Sequence, residues 1–366
     1  MQEAAHSPVP LTVASIRQTE GDEIDPTDDA LRIGVIASIA HRVPPRDYGP
    51  WEQVASTLTE GLVARGHDVT LFATADSVTT GRLHAVAPAG YEEDAGIDAK
   101  AYEGLHNAAA FEGAGRFDII SNQFDFMPLT YSRLVATPVV TTIHGFSSER
   151  ILPVYRAYDS IGHYVAISDA DRHPDLSYAA TIHHGIDLTR FTFAEDAGDY
   201  LLFLGRIHPD KGTHRAIEVA RRSGRPLILA GIVQDEPYFR AMVEPHLRDP
   251  DVVYLGPVRP QQRDALLGGA YALLHLISFA EPFGLSVVEA LATGTPVIAT
   301  RLGSMPELIR PEVTGFLVSS VDDATAAVER VGELRRRDCR DDVEGRFTAD
   351  HMVDRYAALF HHILDH

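Results

Sequence analysis

The sequence predicts an α/β protein made of two doubly wound, parallel-sheet domains that face one another across a cleft. Three observations carry this. Short runs of branched apolar residues alternate with helical patterns, which is how parallel strands and their right-handed crossovers read in sequence. The alternation lapses once, near Asp187 to Gly198, and then restarts. At 366 residues the chain also exceeds one ordinary core, because single cores stop growing at roughly 250 to 300 residues.

The elements follow in order. Leu31 opens LRIGVIASIA, a near-continuous apolar run of the kind a buried parallel strand shows. TEGLVARG ends a helix with Gly66 at its C′ position, and Asp68 to Ala73 form the next strand. FDIISNQ, PVVTTIHG and YVAIS repeat the strand pattern, each followed by polar residues or glycine. After the lapse come YLLFLGRI, a helix from His214 to Arg222, PLILAG, a helix from Pro237 to Leu247 and VVYLG. A helix from Gln261 to Gly268, then AYALLHLIS, a helix from Val287 to Thr293, TPVIAT and GFLV complete the second series. The closing segment places Met352, Val353, Tyr356, Leu359, Phe360 and Ile363 near helical spacing, so it is expected to be an amphipathic helix packed on the body.

The expected division is an acidic tail over 1–30, a first domain over 31–192 and a second over 193–346, with 347–366 crossing back to complete the first. The tail carries seven acids against Arg17 alone, a net 1 − 7 = −6, and is expected to be poorly ordered.

Hydrophobic residues at 45% and charged residues at 23% match ordinary globular usage and exclude a mostly disordered or collagen-like chain. The balance of 32 basic and 52 acidic residues, 32 − 52 = −20, repels nucleic acid polymers and anionic lipid, while leaving room for a local basic site that takes a small anion. Cys339 stands alone, so neither an intrachain disulfide nor a cysteine-built zinc site is available; it is expected to be an unremarkable surface or helix residue. The N-terminus lacks the pattern of a signal peptide, and no run of about 18 apolar residues is present. A soluble, cytoplasmic monomer or homodimer without stable membrane insertion is the expectation.

Two stretches carry chemistry. In EPFGLSVVEALATGTPVIATRLGSMPELI, Pro282 biases Glu281 away from helix, while Glu289 falls inside the following helix and reaches the cleft through its first turns. A helix beginning near Gly284 would aim the N–H groups of Gly284, Leu285 and Ser286, with its positive dipole end, at the cleft, as a phosphate site requires. In LFLGRIHPDKG, the strand ends at Gly205 and delivers Arg206 and Lys211 beyond its carboxyl end, where ligands of such sheets sit. Two cations there can neutralise a diphosphate as its bond breaks.

These motifs, GRIHPDKG, EPFGLSVVEALATGTPVIAT, GSMPELI and TGFLV, together with YGPWEQV, HDVTLFAT, TTIHG, YVAISDADR and HHGID in the same order, resemble the retaining glycosyltransferases of family 4. The resemblance spans roughly 31–366 and implies the GT-B architecture of two Rossmann-like domains. Glu281 and Glu289, with seven residues between them, are similar to the family's paired-glutamate motif.

The resemblance implies that Arg206 and Lys211 bind the diphosphate of a nucleotide-sugar donor, that Glu281 holds hydroxyls of the transferred sugar and that Glu289 binds the ribose. It places the backbone of Phe283, Gly284 and Leu285 at the sugar and phosphates, Val258 beside the nucleobase and His144 near the donor sugar. Gly49 matches one member of a glycine pair that approaches the diphosphate; Pro50 stands in place of the other and removes one N–H donor. It further implies front-face attack with retention, the departing phosphate taking the proton of the hydroxyl on a small-molecule or saccharide acceptor. No cofactor and no metal are implied, since Arg206, Lys211 and the helix terminus supply the positive charge.

Some residues read two ways. His144 is either at the donor sugar or a hydrogen-bonded packing residue, and Tyr48 and Trp51 either face the acceptor or pack the following helix. His183 and His184 are adjacent and diverge in any regular structure, which disfavours a shared metal. A nucleotide-sugar epimerase or hydrolase would need an added acid or base pair in the cleft, and a non-catalytic sugar-nucleotide sensor would not need Glu281 and Lys211 together.

Overall fold

Two parallel sheets divide the chain in the computed structural model, which describes residues 30–47, 49–145 and 149–366. The first contains β1 (Arg32–Ile36), β2 (Asp68–Ala73), β3 (Arg82–Ala85), β4 (Ile119–Asn122), β5 (Val139–Ile143), β6 (His163–Ala166) and β7 (Tyr178–Thr181). Their order is β3-β2-β1-β4-β5-β6-β7. Between them run α1 (Pro50–Ala64), α2 (Ala99–Glu112), α3 (Phe126–Leu129) and α4 (Leu152–Tyr158). The acidic tail up to residue 29, and Tyr48, lie outside the described residues.

The second sheet contains β8 (Leu201–Leu204), β9 (Leu227–Ala230), β10 (Val252–Tyr254), β11 (Ala272–His275), β12 (Val297–Thr300) and β13 (Gly315–Val318), in the order β10-β9-β8-β11-β12-β13. Its helices are α5 (Thr213–Ser223), α6 (Glu236–Met242), α7 (Pro260–Gly268), α8 (Leu285–Ala292), α9 (Met305–Leu308), α10 (Val321–Arg330) and α11 (Arg336–Arg346). Both sheets reverse direction beside their first strand, at β1/β4 and at β8/β11, which opens a crevice at the carboxyl ends of those strands.

Sequence and structure part in places that have physical causes. The edge strands β3 and β7 are half-exposed or exposed along their length, so they lack the apolar run that marks β4 and β5, whose residues are all buried. The helix expected from Pro237 to Leu247 stops at Met242, because Pro245 disfavours helix at the residue before it and has no N–H; a 3₁₀ turn, Glu244–Arg248, follows. Cys339 is not at the surface. It sits on α11, fully buried against the core that includes Val288, Leu291 and Val343, and burial pushes its thiol up to about 12.

The closing helix α12 (Ala349–Asp365) crosses back to the first sheet, where Met352, Val353, Tyr356, Leu359 and Phe360 share one core with Val54, Leu58 and Leu62 of α1. Each such side chain contributes about 1.5–3 kcal/mol on full burial. Gly61 makes the α1–α12 approach possible: a Cβ there would lie 2.4 Å from Val353 Cγ2. The two strands of chain that cross between the sheets run side by side, Ile186 N–H donating to Phe347 O at 2.9 Å and Ala349 N–H to Ile186 O at 2.9 Å. Among the described residues, no helix is long and apolar enough to cross a membrane.

Candidate active site

The loop after β8 is shaped by two small devices. His208 Nδ1 accepts from Asp210 N–H at 3.3 Å to open the 3₁₀ turn Pro209–Lys211, and Gly212 closes it in the left-handed region at φ 73°. A Cβ on Gly212 would lie 2.0 Å from Leu276 O, so only glycine lets this loop rest on the end of β11. Lys211 is thereby brought to the second motif, where its Nζ donates to Glu281 Oε2 and lies 4.7 Å from the centre of the Phe279 ring. His275, the last residue of β11, places Nε2 3.8 Å from the same carboxylate oxygen. Burial drives His275 down to about 4, with Glu281 pulling the other way and Lys211 adding to the fall, so the ring is neutral near pH 7.

Arg206 does not join Lys211 on a common partner; its Nη1 donates to Gln234 Oε1. The two cations leave the same loop but are engaged by different acceptors.

The segment after Glu281 turns at Gly284, which adopts φ 105° as the N-cap of α8. A Cβ there would lie 2.7 Å from Met305 Cε. No side chain caps α8, and its first residues, Leu285 and Ser286, therefore offer their amides and the positive end of the helix dipole to the crevice. The Phe283 side chain is buried in the core of the second sheet. Glu289, on the second turn, is only 12% exposed and is held by Arg263 Nη2 from α7. Burial raises its carboxyl above the usual range, and Arg263 opposes that rise. Val258 is half-buried against the same core, close before α7.

On the first sheet's side, Gly49 is the N-cap of α1 at φ 154°, and Pro50 occupies the first helical position, where a missing N–H costs least. A Cβ on Gly49 would lie 2.8 Å from Glu52 Oε2 and 2.9 Å from Pro45 Cβ. Burial lifts the Glu52 carboxyl above its ordinary range against hydrogen bonds from its own amide, the Ser38 hydroxyl and the His41 backbone. The head of α1 is thus partly closed by its own third residue.

His144 is buried, and its ring is fully engaged by the chain. Gln123 donates through Nε2 to Ser121 Oγ at 3.0 Å and Thr142 Oγ1 at 2.8 Å, which turns its Oε1 toward His144 Nε2 at 3.1 Å. His144 Nε2 therefore carries the proton, and its Nδ1 accepts from His184 Nε2 at 3.4 Å. Trp51 stacks on the His144 ring with centroids 5.5 Å apart. Burial pushes His144 down to about 3 and His184 well below its ordinary value, so both rings are neutral. His183 turns away to Glu307 Oε2 at 2.9 Å.

The fold brings several of these residues into one place. Gly145, next to His144, has φ 108° and faces Pro282, whose Cγ would be 2.6 Å from a Cβ at that position. Phe283 lies edge-on to His184 at 5.0 Å. The ends of TTIHG and the start of EPFG therefore meet across the crevice, with Lys211 and His275 behind Glu281. Gln234, Arg263, His275, Ser168 and Glu307 were not singled out by sequence. Ser168 and Glu307 stood inside the YVAISDADR and GSMPELI motifs, whereas Gln234, Arg263 and His275 sit in no motif and are found only through their contacts.

The comparisons with known proteins follow this division of the chain. The family described as Glycosyltransferase Family 4 matches residues 51–190, on the first sheet, and Glycosyl transferases group 1 matches residues 188–341, on the second. The chain is a GT4-type glycosyltransferase. The O-antigen chain mannosyltransferase C of Escherichia coli is 25% identical over 88% of this chain and 96% of its own. The solved glycosyltransferase AviGT4, involved in avilamycin A biosynthesis, superposes with a TM-score of 0.67 at 22% identity, covering 92% of this chain and 98% of that one. Anabaena Alr3699/HepE in complex with UDP and glucose gives 0.67 at 16% identity, covering 91% and 100%. These structures share the GT-B fold of two Rossmann-like units with this glycosyltransferase.

Proposed function

We propose that this glycosyltransferase moves a sugar from a nucleotide-diphosphate donor to a hydroxyl of a small-molecule or saccharide acceptor, with retention and without a metal. The observation that carries the reading is the convergence of Lys211, Glu281 and the uncapped head of α8 at one end of the second sheet. Lys211, Arg206 and the α8 amides would hold the diphosphate, and their charge would offset the negative charge that grows on it as the glycosidic bond breaks. Glu281 would accept hydrogen bonds from sugar hydroxyls, Glu289 from the ribose, and the Val258 backbone would meet the base. The departing phosphate oxygen would take the acceptor's proton, so no protein carboxylate forms a bond to the sugar. UDP and glucose in the Anabaena relative support a nucleotide-sugar donor. His144, neutral and held by Gln123 and His184, would present its ring edge or its neighbouring backbone to the donor. A cytoplasmic site of action belongs to this reading, with a single reduced thiol, Cys339, in keeping with it.

The test is to incubate the purified full-length chain with a panel of nucleotide sugars, with and without a chelator, and to follow thermal stabilisation and release of nucleoside diphosphate. Release that survives chelation, with product of the donor's anomeric configuration by NMR, is expected. Absence of stabilisation by every nucleoside diphosphate would sink the reading; inverted product would sink its stereochemistry alone.

A further inference from the structure

Glu281 does not hold its place through its own side chain only. Ser304 N–H donates to Glu281 O at 3.0 Å, and Ser304 Oγ donates to Phe283 O, so the turn that opens α9 grips the Glu281 segment from the second sheet's side. Gly303, just before it, lies so close that a Cβ would be 2.4 Å from both Glu281 N and Glu281 O.

The same segment is gripped from the first sheet. Fully buried Ser168, beyond the end of β6, donates through Oγ to Pro282 O at 2.6 Å. Ser168 Oγ in turn accepts from Asp171 N–H at 3.1 Å, which orients the hydroxyl toward Pro282. One turn of α9 beyond Ser304, Glu307 reaches across to the same first-sheet loop. Its Oε2 accepts from Asp169 N–H at 2.9 Å and its Oε1 from Ala170 N–H at 2.8 Å, while His183 Nε2 lies 2.9 Å from Oε2. Burial alone would raise this carboxyl, but the His183 and backbone hydrogen bonds outweigh it and hold it below the usual range, ionised at neutral pH. Arg346 fixes the other side of the turn through Glu307 O at 2.9 Å.

We propose that Ser168 and Glu307 are positioning residues: they tie the first sheet to the Glu281–Pro282 segment and so set the Glu281 carboxylate for the reacting sugar. The inference rests on the transferase reading above. Neither residue lies among the groups assigned to the nucleotide, so the two should separate nucleotide binding from turnover. Without Ser168, the Pro282 carbonyl loses its donor from the opposite sheet. Without the Glu307 carboxylate, two backbone N–H groups at the head of the Ser168 loop lose their acceptor, and the loop that carries Ser168 is released.

The experiment uses the full chain and the variants S168A, S168T and E307Q, with UDP, GDP and ADP as binding probes and whichever nucleotide sugar the unaltered protein turns over. Nucleoside diphosphate affinity is expected to stay within about twofold, while turnover at saturating donor falls about tenfold in S168A and E307Q, since one hydrogen bond is worth up to about a factor of ten. S168T, which keeps the hydroxyl, is expected to recover most of the rate. Turnover within about twofold of the unaltered protein in either S168A or E307Q overturns the inference. So does parallel loss of nucleotide affinity and turnover, which would mark a role in folding alone. If the unaltered protein binds no nucleoside diphosphate and consumes no nucleotide sugar, the transferase reading itself falls, and that result is distinct from the other two.

Discussion

Lys211 Nζ and Glu281 Oε2 form an ion pair whose side chains are only 14% and 16% exposed, so each charge is largely removed from water and depends on the other. Removing one partner strands the second, which costs more than the pair contributes net. K211M is expected to lower unfolding free energy by about 1–3 kcal/mol, as charged hydrogen bonds do, and to abolish donor-dependent nucleotide release. The double variant K211M/E281Q should regain part of the stability and none of the activity. Urea unfolding of the two single variants and the double closes the cycle; additive losses would show that the pair is not coupled in solution.

Glu289 presents the same problem with a different sign. Its carboxyl is raised by burial even with Arg263 beside it, so the folded protein holds the proton more tightly than the unfolded chain. Stability from this group is greatest at low pH and is lost as pH climbs from the ordinary carboxylate value through the raised one. Taking away Arg263 raises that value further and widens the window upward. The R263M variant should therefore lose more stability at pH 8 than at pH 5, relative to the unaltered protein, when urea midpoints are compared. A deficit that is equal at both values would contradict the burial of Glu289.

Legibility from sequence followed the apolar pattern. The buried strands β1, β4, β5, β8, β11 and β12 were visible because parallel strands covered on both faces are almost wholly apolar, and the amphipathic spacing of Met352, Val353, Tyr356, Leu359 and Phe360 announced α12. The edge strands β3 and β7 carry no such signal. In the site, the loop cations and the paired glutamates were readable by motif, but their partners were not. Arg263 and Glu289 are 26 residues apart, His183 and Glu307 are 124 apart, and Ser168 and Pro282 are 114 apart. Nothing local in the chain marks such pairs, which exist only once two sheets and their crossovers are in place. The burial of Cys339 was hidden for a related reason: arginines surround it in sequence, yet α11 turns Cys339 inward together with Arg336, Asp342 and Val343.

Four neutral histidines set the acid limit of the fold. Burial lowers His144 to about 3, His106 and His275 to about 4, and His184 well below its ordinary value. In the unfolded chain each takes up a proton near pH 6.5, so stability is retained above that value and lost as pH falls toward the folded-state values. Each group contributes a slope of up to about 1.4 kcal/mol per pH unit in that interval. His106 donates through Nε2 to Ala37 O at 2.9 Å, a bond that a glutamine amide can replace without titrating. The H106Q variant should thus show a shallower fall of stability between pH 6 and pH 4.5, measured by urea unfolding at several pH values. An unchanged slope would mean that His106 is protonated in the folded protein.

Gly303 and Gly224 allow the contact with Glu281 to be separated from backbone conformation. Both are in the left-handed region, at φ 54° and φ 63°, so an alanine at either carries a similar strain of roughly 1 kcal/mol. Around Gly224, at the end of α5, a Cβ would meet nothing within 4 Å; at Gly303 it would be 2.4 Å from Glu281 N and O and 2.8 Å from Ala280 C. Backbone atoms cannot swing aside as a flexible side chain can, so the Glu281 segment must move. The G224A variant is expected to lose about 1 kcal/mol of stability with normal turnover. The G303A variant should lose about 1–3 kcal/mol more, as overpacking does, and its turnover should fall while nucleoside diphosphate affinity holds. Equal stability losses at the two sites, or normal turnover in G303A, would show that the Glu281 backbone is free to shift without consequence for the reaction.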